Sequence, residues 1–348
     1  MGSSSKKIVV ALLLILLGGL FSLAISAWFK SRGARYAVGL VYVPSRAFHE
    51  QVNSILIDTI KRDDRFSVKG FTSGSTSDLI QVNIACDDAL ASEVNLIIST
   101  GLNCSKGLAQ ISRRRKSAKP VVFLGLLDPV RYELVESVEK PGHNVTGIES
   151  NSPGSEIFSM LDLLLIAKPL ARRILLPYSI AAGGFDLHVE QFKKDGKKMG
   201  LEVTILPINS VNDTLQHVAG LISSYDTLMY LEADGISVYG PALGKLASQH
   251  GVTMFAGSLD GIKDSALSFV PDLDALASEA FDLAKEILIN QKNPGDLPVR
   301  QMTVPRNLVI NTKLCKEQDL DDIDIQRIIA AIRADDRFAL VHDHIVVT

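Results

Sequence analysis

The chain reads as an α/β protein built from two doubly wound, Rossmann-like lobes. Short apolar runs suited to buried parallel strands alternate with segments of helical spacing, and the alternation runs through two successive series. The 348 residues are enough for two separate cores.

The first series opens with Tyr36–Val43, a near-continuous apolar run of the kind buried on both faces of a parallel sheet. Phe48, Val52, Ile55, Leu56 and Ile60 then recur at helical spacing. Phe66–Phe71 is the next strand and Ser77–Ser92 the next helix. Asn95–Ser99 is a strand, with a helix from about Ser105, and Pro120–Leu124 closes the series. Val145–Glu149 is a strand leading out of it. The second series takes Arg173–Leu176, Glu202–Leu206, Thr227–Leu231 and Thr253–Ala256 as strands. Its helices are Phe185–Met199, stopped by Gly200, then Asp213–Ile222 and most of Ile236–His250. A strand at Ala266–Val270 follows, and a helix carrying Leu273, Leu276, Ala280, Phe281, Ala284, Ile287 and Leu288.

Composition is 47% hydrophobic and 22% charged with a formal net charge of -3, which gives no reason to expect a nucleic-acid partner. The basic run Arg113-Arg114-Arg115-Lys116 reads as a solvated helix C-terminus, where cations suit the macrodipole. Ile8–Trp28 carries no charge, follows Lys6-Lys7 and is long enough to span a bilayer core of about 30 Å. It fits a cleaved export signal or an uncleaved anchor. Its length favours the anchor, and Lys30, Arg32 and Arg35 just after it oppose a simple positive-inside orientation. Both readings put residues 36–348 outside the cytoplasm, in the periplasm or on the outer face of the membrane. Without a cysteine at its end the segment is not a lipoprotein anchor, and Lys6 breaks the myristoylation pattern. The three cysteines, Cys86, Cys104 and Cys315, form no disulfide framework. Cys104 falls just after a strand, near the expected cleft.

Asp128–Gly147, DPVRYELVESVEKPGHNVTG, reads as a loop, a short helix, a turn and a strand. It resembles the hinge-proximal segment of ABC-transporter substrate-binding proteins of the type I periplasmic-binding fold, in the family that includes predicted tryptophan- and tyrosine-uptake receptors. Pro294–Ile310, PGDLPVRQMTVPRNLVI, followed by Asn311-Thr312, is a second match. The resemblance runs through about residues 36–318. It implies discontinuous lobes, 36–148 plus 266–298 and 149–265 plus 299–318, joined by a three-strand hinge. It further implies one small ligand, a permease and separate ATPase subunits as partners, no cofactor and no catalysis. The family usually stops near Leu314–Leu320, so 319–348 reads as an extension, with an amphipathic helix at Ile325–Ile332. A membrane-anchored sensory or assembly subunit on the same fold is the rival to transport.

No Gly-x-Ser-x-Gly elbow, His-Glu-x-x-His helix, Walker loop or Gly-x-Gly-x-x-Gly fingerprint occurs in the sequence. His342 and His344 would share one strand face, but two histidines alone are a weak metal signal. In open α/β sheets ligands bind outside the carboxyl ends of strands. The loops there offer Ser45, Ser99, Thr100, Asn103 and Asp128 in the first lobe, and Tyr178, Glu232, Asp234 and Asp260 in the second. Ser99 and Thr100 precede a helix and suit a carboxylate, or simply an N-cap. Asp234 suits an ammonium group. Its loop, Glu232-Ala233-Asp234, departs from the Thr-Asp-Asn-like pattern of the resembling family. Phe48, Tyr178 and Phe185 are candidate aromatic walls. Together these favour an amino acid or similar zwitterion.

Overall fold

The computed structural model describes residues 36–44, 47–73, 78–126, 128–149, 153–179, 186–208, 211–231, 239–301, 306–335 and 345–348. The first lobe contains β1 (Tyr36–Tyr42), α1 (Ala47–Lys61), β2 (Phe66–Thr72), α2 (Leu79–Ala91), β3 (Leu96–Thr100), α3 (Leu102–Arg115), β4 (Val121–Leu126) and β5 (Val145–Glu149). The second contains α4 (Pro153–Ala167), β6 (Arg173–Ser179), α5 (Asp186–Lys198), β7 (Glu202–Ile208), α6 (Val211–Leu221), β8 (Thr227–Tyr230), α7 (Gly240–His250), β9 (Thr253–Ala256) and β10 (Leu267–Pro271). Then follow α8 (Leu273–Leu288), β11 (Arg300–Gln301), β12 (Arg306–Ile310), α9 (Thr312–Glu317), α10 (Asp322–Ala334) and β13 (Ile345–Val347).

The first sheet has six parallel strands in the order β11-β5-β4-β3-β1-β2. The second has seven, ordered β13-β12-β10-β9-β8-β6-β7, in which β12 runs antiparallel to β10. Both sheets are sandwiched by helices, so each strand must be apolar on both faces. In β3 and β4, Leu96, Ile98, Val122 and Leu124 pack toward α1 and α8. The alternate residues Ile97, Val121 and Phe123 pack toward α2 and α3. The second lobe repeats the scheme. Ile174, Leu176, Met229 and Phe255 meet α4, α5 and α10, while Leu175, Leu228 and Met254 meet α6 and α7.

The chain crosses between lobes after β5, after β10 and after β11. The second crossing departs from expectation. Leu267 and Ser268 pair in parallel with Phe255 and Ala256, so this strand belongs to the second sheet, and the return to the first lobe begins only with α8. Arg300 and Gln301 pair with Ile148 and Glu149, so the first lobe reaches Gln301 rather than ending at 298. A strand buried on both faces carries no mark of the sheet it will join. The short helix expected within Asp128–Gly147 is instead a run of turns. Tyr132 N–H donates to Asp128, Glu133 N–H to Val130 and Leu134 N–H to Pro129, so the spacing changes at each residue, and the left-handed φ of 59° at Glu133 stops a regular helix from propagating.

The extension is also part of the second lobe. Ile325, Ile328 and Ile332 are buried in its core, and β13 extends its sheet along β12. α10 begins with a capping box in which Asp321 and Asp324 each accept the other's N–H.

The two segments that carry the family resemblance meet each other. Gly142 N–H donates to the Gly295 carbonyl at 3.0 Å, and Thr146 Oγ1 to the Leu297 carbonyl at 2.9 Å. Asn144 Nδ2 donates to Ser112 Oγ at 2.8 Å and to the Lys119 carbonyl. A Cβ on Gly147 would lie 2.3 Å from the Phe123 carbonyl oxygen, and one on Gly295 would lie 2.3 Å from that of His143. These motif residues build the first-lobe side of the hinge.

Candidate functional site

The carboxyl ends of β1, β3, β4 and β5 form one rim, and those of β6, β8, β9 and β10 form the other. Such ends are where open α/β sheets bind ligands.

On the first rim the β3–α3 corner is held from below. Ser99 and Thr100 are fully buried. Ser99 Oγ shares a hydrogen bond with Ser105 Oγ at 2.9 Å, and Ser105 Oγ donates to the Gly101 carbonyl at 3.0 Å. Asn53 Nδ2 donates to Thr100 Oγ1 at 3.0 Å and to the His49 carbonyl at 2.7 Å. The hydroxyls expected at the cleft therefore fasten the corner from inside the lobe. They lie on the right loop but are turned inward. Gly101 has φ +92°, and a Cβ there would lie 2.6 Å from His49 Cε1. The buried His49 ring in turn donates from Nδ1 to the Val43 carbonyl at 3.2 Å. Gly101 gives α3 no side-chain cap. Its first turn, with half-buried Asn103, presents backbone N–H groups at the rim.

Cys104, one turn in, is buried in the core against α2, where its carbonyl receives the Cys86 thiol at 3.4 Å. It does not line the rim. Burial, and then the neighbouring Cys104, pushes the Cys86 thiol far up. Cys315 is pushed up to about 12 by burial, with Asp322 and Asp324 adding to it.

Near the end of β4, Gly125 has φ +67°, and the half-buried Phe48 ring comes to 3.5 Å from where its Cβ would stand. Asp128 Oδ1 accepts the Arg131 N–H at 3.0 Å. The Asp128 N–H donates to Glu149 Oε1 at 3.2 Å, and Gln301 Nε2 to Glu149 Oε2 at 2.6 Å. Burial raises the Glu149 carboxyl above its ordinary range. The two donors oppose that shift, and the Asp128 charge adds to it. Glu149 escaped the sequence reading because nothing in Val145–Glu149 marks its last residue as more than a strand end.

On the second rim, Tyr178 is half-buried at the end of β6. Asp260 lies in the 3-10 turn Leu259–Gly261, which Ser258 caps by accepting the Gly261 N–H at 3.3 Å. This turn touches α1, and Leu259 packs with Phe48 against the first-lobe core. The lobes thus meet beside the hinge. Ser45, Phe185, Glu232, Asp234, His342 and His344 lie outside the described residues, as does the apolar segment 8–28. Among the described residues no group of three or more His, Cys, Asp or Glu could hold a metal, and no helix is long and apolar enough to cross a membrane. An open depression of about 450 Å³, lined by Lys245, Ser248, Lys263, Asp264 and Glu317 among others, lies at the opposite pole of the second lobe.

A family model described as ABC transporter substrate binding protein matches residues 49–330, so the match runs into α10 and past the expected stop near Leu320. A tyrosine-binding protein of Clostridioides difficile (strain R20291) is 28% identical over 211 residues. That match covers 60% of this chain and spans about three fifths of the relative's length (59%). A conserved domain protein from Vibrio cholerae shares the fold with a TM-score of 0.73 at 17% identity, covering 84% of this chain and 98% of that one. An ABC domain in complex with L-Trp from Streptococcus pneumoniae gives 0.70 at 20% identity, covering 83% and 98%. A ligand-free, open substrate-binding protein with adhesive properties from Clostridium difficile gives 0.64 at 18%, covering 82% and 96%.

Proposed function

The chain belongs to the ABC transporter substrate-binding protein family, and we propose that it is the extracytoplasmic receptor of an importer, trapping one amino acid or similar zwitterion between its lobes. The observation that carries this reading is the hinge. Two doubly wound sheets are joined by three passages of the chain, after β5, after β10 and after β11, and we take the loops beyond their strand ends as the two walls of one cleft. Three short crossings permit rotation of one lobe on the other and little else, so a ligand touching both rims favours the closed form by its differential contacts. The names of a tyrosine-binding relative and of an L-Trp complex support the ligand class.

In this reading the first turn of α3 meets the ligand's carboxylate, because its N–H groups and dipole favour an anion. Asn103, in that turn, and Ser45, which follows β1 in sequence, are the further polar contacts of this reading, while Ser99 and Thr100 hold the turn in place. Asp128, Glu232, Asp234 and Asp260 make the field around the ammonium end negative without each contacting it, and Phe48 and Tyr178 supply apolar walls. No step of bond chemistry is assigned to these residues. Segment 8–28 directs export or anchors the chain at the outer face of the membrane. Closure then presents both rims to a permease, and hydrolysis belongs to a separate ATPase subunit.

A thermal-shift screen of the twenty L-amino acids tests this. A true ligand at about a hundred times its dissociation constant adds roughly 2.7 kcal/mol of stability. A screen in which no amino acid raises the melting temperature, while a sugar or other neutral solute does, would overturn the ligand class.

A further inference from the structure

The hinge contains a carboxylate for which the described chain supplies no counter-charge. Glu149 is the last residue of β5 before the first crossing. Its two oxygens accept from the Asp128 amide at 3.2 Å and from Gln301 Nε2 at 2.6 Å. Both donors are neutral. Gln301 is the last residue of β11 before the third crossing, so the carboxylate is oriented by the two ends of the first lobe that lead into the hinge. Other half-buried acids with raised carboxyls have a cation at hand, Lys263 for Asp264 and Arg300 for Glu279. Glu286, more strongly held, is paired with Lys292 at 2.9 Å and Arg300 at 2.7 Å. Among the described residues the charged neighbour of Glu149 is another acid, Asp128.

A carboxylate has about four acceptor positions, and two donors leave capacity unused. Half-burial with two neutral donors, and no cation among the described residues, leaves a desolvation cost that a cation arriving from outside would offset. We propose that Glu149 receives the primary ammonium group of the ligand as the lobes close, which makes this residue the one that selects amines over deaminated acids. The proposal rests on the amino-acid receptor reading above and sharpens it. The charge comes from the hinge, which both lobes share, so ammonium binding and closure are coupled.

Calorimetry on the full chain in mild detergent tests this with L-tyrosine, tyramine and 3-(4-hydroxyphenyl)propionate. The second lacks the carboxylate and the third lacks the ammonium. In Glu149→Gln the affinities for L-tyrosine and tyramine should fall about tenfold to a hundredfold, the range of a charge-assisted hydrogen bond. Affinity for the propionate should stay within about twofold. Glu149→Asp keeps the charge on a shorter stem and should recover part of the discrimination. Equal losses for all three compounds would make Glu149 a hinge strut and overturn the assignment while leaving the receptor reading intact. Undiminished L-tyrosine binding in Glu149→Gln would overturn it too. A wild type that binds neither L-tyrosine nor any other L-amino acid would overturn the receptor reading, and this assignment with it.

Discussion

Gly147→Ala places a methyl group where β4 and β5 come closest beneath the hinge. The new Cβ would stand 2.3 Å from the Phe123 carbonyl oxygen and 2.5 and 2.6 Å from two of its ring carbons. Ordinary contact needs about 1 Å more. The Phe123 ring is wholly buried among residues of α2, α3 and β1, so it has no free direction in which to move. Relief must come from parting β4 and β5, whose pairing runs from Val121↔Val145 to Leu124↔Ile148. Overpacking of this kind costs about 1–3 kcal/mol. Replacing glycine by alanine returns about 0.4–1 kcal/mol through the unfolded chain. The net loss is on the order of 1–2 kcal/mol, a fall in melting temperature of roughly 2–8 °C for a lobe of about 150 residues that melts as a unit. Gly70→Ala in β2 is the control, because nothing lies within 4 Å of the added carbon. Melting curves followed by circular dichroism, run side by side, should show the first variant lowered and the second unchanged or slightly raised. A Gly147→Ala variant as stable as wild type would refute the close approach and with it the structural account of the Asn-Val-Thr-Gly motif.

Asp226 accepts the N–H groups of Arg172 at 2.7 Å and Arg173 at 2.8 Å at the entrance to β6. Burial raises its carboxyl, but these two donors and the nearby cations outweigh burial and hold it below the ordinary range. Because the folded value is depressed, its contribution is present above the unfolded value and is lost as pH falls through the folded one. Asp226→Asn should therefore cost about 1–3 kcal/mol at pH 7, and the gap from wild type should close in acid, as urea titrations at several pH values would show. Ile328→Ala in α10 should cost about 2–5 kcal/mol by chemical denaturation, whereas an appended tail would lose less than about 0.5 kcal/mol. Cys86, Cys104 and Cys315 are buried, and the Cys86 and Cys315 thiols are pushed up, so a thiol reagent at pH 8 should leave the native chain unlabelled and react with all three in urea.

Much of the fold was legible because buried parallel strands and amphipathic helices write their periods into the sequence. Leu96-Ile97-Ile98 announces a strand covered on both faces, and it is one. Partner choice is not written there. Leu267–Val270 looks the same whichever sheet receives it, and only the pairing with Phe255 and Ala256 decides. The Asn-Val-Thr-Gly and Pro-Gly motifs were legible as a resemblance, but their reason is a contact between segments about 150 residues apart, Thr146 to Leu297. At the site, strand ends located the rims, yet side-chain direction did not follow. Ser99 and Thr100 serve the corner that holds α3. Glu149 was hidden because its importance comes from Gln301 and Asp128, neighbours only in space.

A receptor of this kind requires that its ligand close the two lobes about the hinge. The native thiols are buried, so spin labels can be placed at Gln110→Cys on α3 and Gln249→Cys on α7, both exposed and on different lobes. Electron–electron distance measurements with and without the amino acid found by thermal shift read the lobe separation directly. On saturation the distance distribution should move to a new, narrower position. Binding proved by calorimetry in the same sample, with an unmoved distribution, would contradict it.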